Sequence, residues 1–329
     1  MEHSVAGAFN KVVTGNIGRV KLSLRKLALA TTVMTILLIA IGGLVRATGS
    51  GLGCGDDWPD CNGRLLPVLD ARPVVIEWSH RAVAMVVGIM SALLVVYAWR
   101  RHRNEVVLRR LTVAAFVLVV LQALLGRVVV KEELEVLLVV GHLATALLFL
   151  AVLIAIVAAA PGPREEPQPN DAMARGVPLA AAAVFVLLLV GSYSSEFGYI
   201  PGWPLQDGRL IPNLESEAQA VHFLHRVLAV AVAAIVGVAA ARAVKAKAEA
   251  PTAAALAQSA VGLFAIQLLI GALNVWTELN PIVVTVHLST GALIWACLIG
   301  MWASATAPAW GPSKHRERDA ALAAAGAAD

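Results

Sequence analysis

The 329-residue sequence predicts an all-α membrane protein: eight transmembrane helices built as two tandem four-helix bundles that form a pseudo-two-fold repeat. Composition supplies the first observation. Hydrophobic residues make up 59% of the chain and charged ones only 15%, with a mean hydropathy of +0.76 that an ordinary soluble domain does not show. The second is a series of eight apolar runs, each near the roughly 20 residues that a bilayer crossing needs. The third is a repeat at an offset of 145: Glu77-Trp78-Ser79-His80-Arg81 returns as His222-Phe223-Leu224-His225-Arg226, and Gly141-His142-Leu143-Ala144-Thr145 as Val286-His287-Leu288-Ser289-Thr290. Gln122 and Gly126 map onto Gln267 and Gly271 in the same way.

The spans fall at 27–47, 78–99, 111–130, 136–160, 178–195, 218–241, 252–274 and 282–304. A segment 1–26 precedes them, and no cleavable signal peptide is evident, because the first apolar run is long and lies behind polar residues. The first span ends in Gly42-Gly43-Leu44-Val45-Arg46-Ala47-Thr48-Gly49, where glycines allow close backbone approach and a sharp exit. Arg46 then sits at the interface, as a lipid snorkel or as the partner of an anionic ligand group. The following loop contains Trp58-Pro59-Asp60-Cys61-Asn62-Gly63-Arg64-Leu65-Leu66-Pro67, and its counterpart is Trp203-Pro204-Leu205-Gln206-Asp207-Gly208-Arg209-Leu210-Ile211-Pro212. Both are longer than a simple helix connection requires, and their tryptophans suit a lid lying at the membrane interface. Cys54 and Cys61 share the first loop, where a disulfide is expected, two free thiols being the alternative; Cys297 reads as an inert core residue. At the 145 offset, Cys54 and Cys61 map onto Tyr199 and Gln206.

Segment 161–177 has the Pro- and Glu-rich composition of a flexible linker between the halves 27–160 and 178–304, and the tail 305–329 has no apolar face and reads as disordered. Lys and Arg crowd the start of span 1, the connection between spans 2 and 3 and the end of span 6, which places those ends and both termini in the cytoplasm. The basic balance therefore reflects topology and anionic lipid rather than nucleic acid.

Ionisable groups inside a membrane span are costly and point to function. Counting the ~1.5 Å helical rise, His80 and His142 lie at equal depth in spans that run parallel across one bundle, and His225 and His287 repeat the relation. Opposed imidazoles at one depth suit the two axial positions of a haem iron better than a zinc site, which wants four clustered ligands. Arg81 and Arg226, next to two of these histidines, are placed to meet haem propionates. Gly126 and Gly271 either leave room for the macrocycle or pack helices, and Gln122 and Gln267 read as interhelical hydrogen-bond donors. His3, His102 and His315 read as solvated. Arg46, Arg127 and Glu77 occur only in the first half, their counterparts being Gly191, Ala272 and His222. A carboxylate one turn from a histidine pair supports proton chemistry, so the first half is expected to hold the reaction and the second to relay electrons.

The set GGLVRATGSGLGC, WPDCNG, EWSHR, GHLATA, His225-Arg226 and VHLSTG resembles the haem A synthase family over nearly the whole chain. The resemblance implies a membrane oxidoreductase of a bacterial plasma membrane that oxidises the C8 methyl of haem O to a formyl group, giving haem A for a terminal oxidase. It implies Glu77 as the catalytic residue and His80 and His142 on the iron of the substrate haem, which Arg81, Arg46 and Arg127 help to bind. His225 and His287 would ligate haem b, the cofactor, with Arg226 on its propionate. His222, at the position of Glu77, is the competing ligand; the adjacent arginine favours His225. Haem O, membrane lipid, haem O synthase, oxidase assembly factors and an unidentified electron carrier are the implied partners. A noncatalytic di-haem b-type electron-transfer protein is the alternative, and it has no need of Glu77.

Overall fold

The computed structural model describes residues 23–161, 171–206 and 208–306. The expectations for His3, for His315, for most of the linker and for the tail beyond 306 lie outside them, as does Asp207 of the second loop.

Eight helices follow one another: α1 (Leu24–Ala47), α2 (Arg72–Arg101), α3 (Val106–Lys131), α4 (Val136–Ala159), α5 (Asp171–Ser194), α6 (Glu217–Lys245), α7 (Pro251–Trp276) and α8 (Pro281–Thr306). All are long and apolar enough to cross a membrane. Their starts carry sequence signals. The Ser23 hydroxyl accepts from the Lys26 amide, Glu135 caps α4 through Leu138, and Ser216 and Gln219 form a capping box at α6. Prolines stand in the first turns of α2 and α7, where a missing N–H costs nothing. Several helices outrun their apolar spans. α2 starts at Arg72, six residues before 78, and α5 runs through Pro178 rather than starting there, because an apolar run marks hydrocarbon thickness and a helix continues into polar flanks.

α1, α2, α3 and α4 pack in a ring, each against its chain neighbours and α1 against α4, so α2 and α4 face each other on a diagonal. α5 to α8 form the same ring. The rings join where α1 and α4 meet α8 and α4 meets α5. Packing within the rings differs. Leu94, Leu108, Phe149 and Leu153 fill the first, whereas α6 and α7 approach on Ala239, Ala243, Ala253, Ala257 and Ala260, the small-residue surface by which membrane helices come close. Thr31, Thr32 and Thr35, buried on α1, satisfy their hydroxyls on carbonyls one turn back at 2.8 Å. At the seam, Trp295 of α8 donates its indole N–H to the Leu147 carbonyl of α4 at 3.1 Å and packs on Phe185.

The repeat extends to backbone detail. The α3–α4 and α7–α8 turns both place two residues at positive φ, Glu133 and Leu134 in one and Glu278 and Leu279 in the other. The same bridge closes both long loops, Cys61 with Arg64 and Gln206 with Arg209, and both Trp-Pro bonds are cis.

In one region the 145 offset fails. Buried positions Ala28, Thr31, Thr32 and Thr35 of α1 correspond to Val177, Ala180, Ala181 and Val184 of α5, a shift of 149. The same shift pairs the left-handed glycines Gly49 and Gly198. Hence the counterpart of Arg46 is Ser195, not Gly191, and Gly191 matches Gly42. The first loop holds four more residues than the second between this left-handed glycine and its tryptophan. The stretch from Gly49 to Trp58 is packed down tightly: a side chain at Gly51 would strike Leu134, and one at Gly53 would strike the Pro73 backbone at 2.5 Å.

Candidate functional site

Four imidazoles lie inside the two rings, and each is seated the same way. A Cβ built on Gly42 would stand 3.1 Å from Cε1 of His80, on Gly126 3.3 Å from that of His142, on Gly191 2.8 Å from that of His225, and on Gly271 3.3 Å from that of His287. Each of these four histidines, all on even-numbered helices, therefore rests edge-on against a glycine of the helix before it. Gly126 and Gly271 thus let α3 and α7 pack closely on the imidazoles of the following helices, and Gly42 and Gly191, which do the same, were missed. The signal for them was present in Gly42-x6-Gly49 and Gly191-x6-Gly198, two glycine pairs of equal spacing.

His80 and His142 are electrostatic neighbours, as are His225 and His287. Nδ1 of all four is buried with no hydrogen-bond partner. Gln122 and Gln267 donate to the carbonyls of His142 and His287 at 2.8 and 2.9 Å, which fixes α3 to α4 and α7 to α8 at the level of the histidine. Among the described residues no group of three or more His, Cys, Asp or Glu is gathered to hold a bare metal ion. Paired, buried imidazoles whose Nδ1 atoms have no hydrogen-bond partner fit a planar iron macrocycle, which would take two histidines from the protein.

Beside the first pair, Glu77 is 3% exposed. One of its oxygens accepts from both Nε and Nη2 of Arg81, and the other takes the Cys54 amide at 2.8 Å. Arg81 also donates to the carbonyls of Asp57 and Asp60 at 2.8 and 2.6 Å, which leaves one of its five N–H groups. Cys54 is bonded to Cys61 in a disulfide packed on Val74 and Trp78. Glu77, Arg81 and the cysteine pair therefore form one cluster that clamps the first loop over its histidines. A second clamp joins Asp56 to Lys131 at 2.9 Å, and this hydrogen bond holds the exposed Asp56 carboxyl below its usual range.

The second half keeps the framework with different chemistry. Arg226 donates to Gly202 at 3.0 Å, the counterpart of the Arg81 bond to Asp57. His222 replaces Glu77, and its Nε2 is buried without a partner. Trp203 packs edge-on against Trp276, 5.6 Å between centroids, where the first loop uses the ion pair to Lys131. Of His222 and His225, the latter has the glycine seat that His80 has.

The remaining residues lie apart from the cluster. Arg46 pairs with Glu196 of the second half and so ties the two rings together at the long-loop end. Arg127 is exposed on α3, next to Gly126. His102 is bonded to Glu105 at 2.8 Å and stacked on Tyr97, so it is more engaged than expected. Cys297 is half-buried against the second-half core.

The profile of a family described as cytochrome oxidase assembly protein matches residues 25–299. A haem A synthase of Shouchella clausii is 31% identical over 63% of this chain and 71% of its own length. One of Symbiobacterium thermophilum is 34% identical over 62% and 70% respectively. One of Lysinibacillus sphaericus is 46% identical over a shorter stretch, 31% of this chain and 34% of its own.

Proposed function

The chain belongs to the cytochrome oxidase assembly family of the haem A synthases, and from that premise we propose that it converts haem O to haem A by oxidising the C8 methyl to a formyl group. The observation that carries the reading is the pairing of two equivalent glycine-seated histidine sites with a buried carboxylate at only one of them. Two sites serve substrate and cofactor, and the carboxylate distinguishes the reacting one.

In this reading His80 and His142 hold the haem O iron, and His225 and His287 hold haem b. Bound haem supplies the redox chemistry of the methyl oxidation. The chain's residues do the rest. Glu77 has three of its acceptor positions filled by Arg81 and Cys54, which leaves one lone pair on the oxygen that faces Cys54 to take a proton or to steady positive charge near the methyl. Arg81, largely spent on Glu77 and the loop carbonyls, orients that carboxylate and keeps one N–H for a propionate. Arg226, with no carboxylate at the Glu77 position beside it, is the freer propionate partner. Arg46, paired with Glu196, and Arg127, exposed on α3, stand apart from the cluster at the long-loop end, where they would meet the anionic edge of the substrate. The long-loop end faces outward and both termini face the cytoplasm of a bacterial cell, where haem O synthase, oxidase assembly factors and an electron carrier are the partners.

Extraction of pigment from purified protein tests the assignment. Haem b accompanied by haem O or haem A is expected. Haem b alone at two per chain would instead make the protein an electron relay.

A further inference from the structure

The duplicated sequence Arg-Leu-x-Pro in the two long loops has no part in the reading above, yet it is repeated as faithfully as the histidines. Leu65 and Leu66 are 72% and 77% exposed, and their counterparts Leu210 and Ile211 are 73% and 67% exposed. Leu69 and Leu214 repeat the pattern. Two apolar elbows facing open space, one per bundle, need an apolar environment.

Their depth says which one. The indole of Trp78 donates to the Leu65 carbonyl at 3.2 Å. Trp78 is six residues into α2, about 9 Å below its start, and a helical side chain leans back about one turn toward the helix N-terminus. Leu65 therefore lies alongside the opening turns of α2, on the order of 4–9 Å below the helix end, and not above it. α2 itself is about 45 Å long, enough to cross the ~30 Å hydrocarbon layer with its first turns among the headgroups. Leucines at that level, each pair preceded by an arginine (Arg64, Arg209), have the chemistry of a segment lying in the membrane interface: apolar side chains toward the acyl chains, guanidinium toward phosphate.

We propose that Leu65-Leu66 and Leu210-Ile211 are lipid-immersed elbows that anchor both long loops in the headgroup–acyl boundary, with phospholipid as their occupant. The loops then cover the histidine sites from within the membrane surface, so the rim of each site is part protein and part lipid.

The test uses the full chain in phospholipid nanodiscs, with Cys297→Ser and with the Cys54–Cys61 bond checked by mass spectrometry. A nitroxide is placed at Leu66→Cys or Ile211→Cys, and collision with oxygen, which concentrates in lipid, is compared with collision with a water-soluble nickel chelate. Val230→Cys, 71% exposed on the apolar flank of α6, gives the lipid reference, and Ala248→Cys, in an exposed turn at the other end, gives the aqueous one. Loss of nickel collisions to the Val230 level with oxygen collisions retained is the expected result. Nickel collisions at the Ala248 level would overturn the proposal, since the elbows would then stand in water. Low collision with both reagents would also overturn it, because protein, not lipid, would then cover them.

Discussion

Substituting Gly191 with alanine tests whether the glycine seats set the imidazoles. The new methyl would lie 2.8 Å from Cε1 and 3.3 Å from Nδ1 of His225, against the 3.5–4.0 Å of a comfortable carbon contact. The ring must retreat by roughly 1 Å, or α5 and α6 must part, and overpacking of this kind costs about 1–3 kcal/mol. If the cost falls on the haem-loaded state, haem b binding weakens by about ten- to a hundredfold, at 1.4 kcal/mol for each factor of ten. Gly271→Ala, starting from 3.3 Å, needs a shift of only a few tenths of an ångström and should keep its haem with a small change in the His287 ring position. Gly88→Ala and Gly237→Ala, where a methyl meets nothing within 4 Å, control for general effects of the substitution. Haem per polypeptide and the low-temperature electron paramagnetic resonance of the low-spin iron are read together. A merely structural glycine would lower yield and leave the g values alone. Full haem content and unchanged g values in Gly191→Ala would refute the reasoning, as would greater damage at Gly271 than at Gly191.

Four further outcomes are expected. His225→Ala or His287→Ala should abolish the haem b signal in reduced-minus-oxidised spectra, whereas loss on His222→Ala alone would move the ligand one turn. Glu77→Gln keeps an acceptor for the Cys54 amide but removes the charge partner of Arg81; a stability loss of about 1–2 kcal/mol is expected, with haem O accumulating at the expense of haem A in extracted pigment. Normal haem A formation would take Glu77 off the catalytic list. Alkylation of unfolded, unreduced protein should label Cys297 and leave Cys54 and Cys61 unmodified by mass spectrometry. Trp295→Phe removes the hydrogen bond across the seam while retaining the ring against Phe185, so a loss near 1 kcal/mol is expected in thermal unfolding, with both spectra unchanged.

How much of this could be read in the sequence depended on the kind of interaction. Eight helices and their pairing into rings follow from apolar length and a repeat whose markers, His80, His142, His225 and His287, are rare enough in a membrane span to fix register by themselves. α1 and α5 carry no such marker. Their apolar residues are interchangeable to a pattern search, so four extra residues downstream slid the alignment and matched Arg46 to Gly191. The partners of charged groups were harder still. Arg46 meets Glu196 across 150 positions, and Arg81 meets main-chain carbonyls, which carry no sequence signature at all. Seats for imidazoles are built from an absent side chain, and a glycine states only that space is left, not what fills it.

The four surplus residues of the first loop also bear on protein engineering. Between the left-handed glycine that ends the odd helix and the loop tryptophan there are nine steps in the first half, Gly49 to Trp58, and five in the second, Gly198 to Trp203. Cysteines grafted at Tyr199 and Gln206 would stand in a loop four residues shorter, between its glycine and its tryptophan, than the one that holds Cys54 and Cys61 at a Cα separation of 4.4 Å. Transplanting the bridge in its native setting therefore means moving a cassette, the four surplus residues included, together with the Glu77 carboxylate that takes the Cys54 amide.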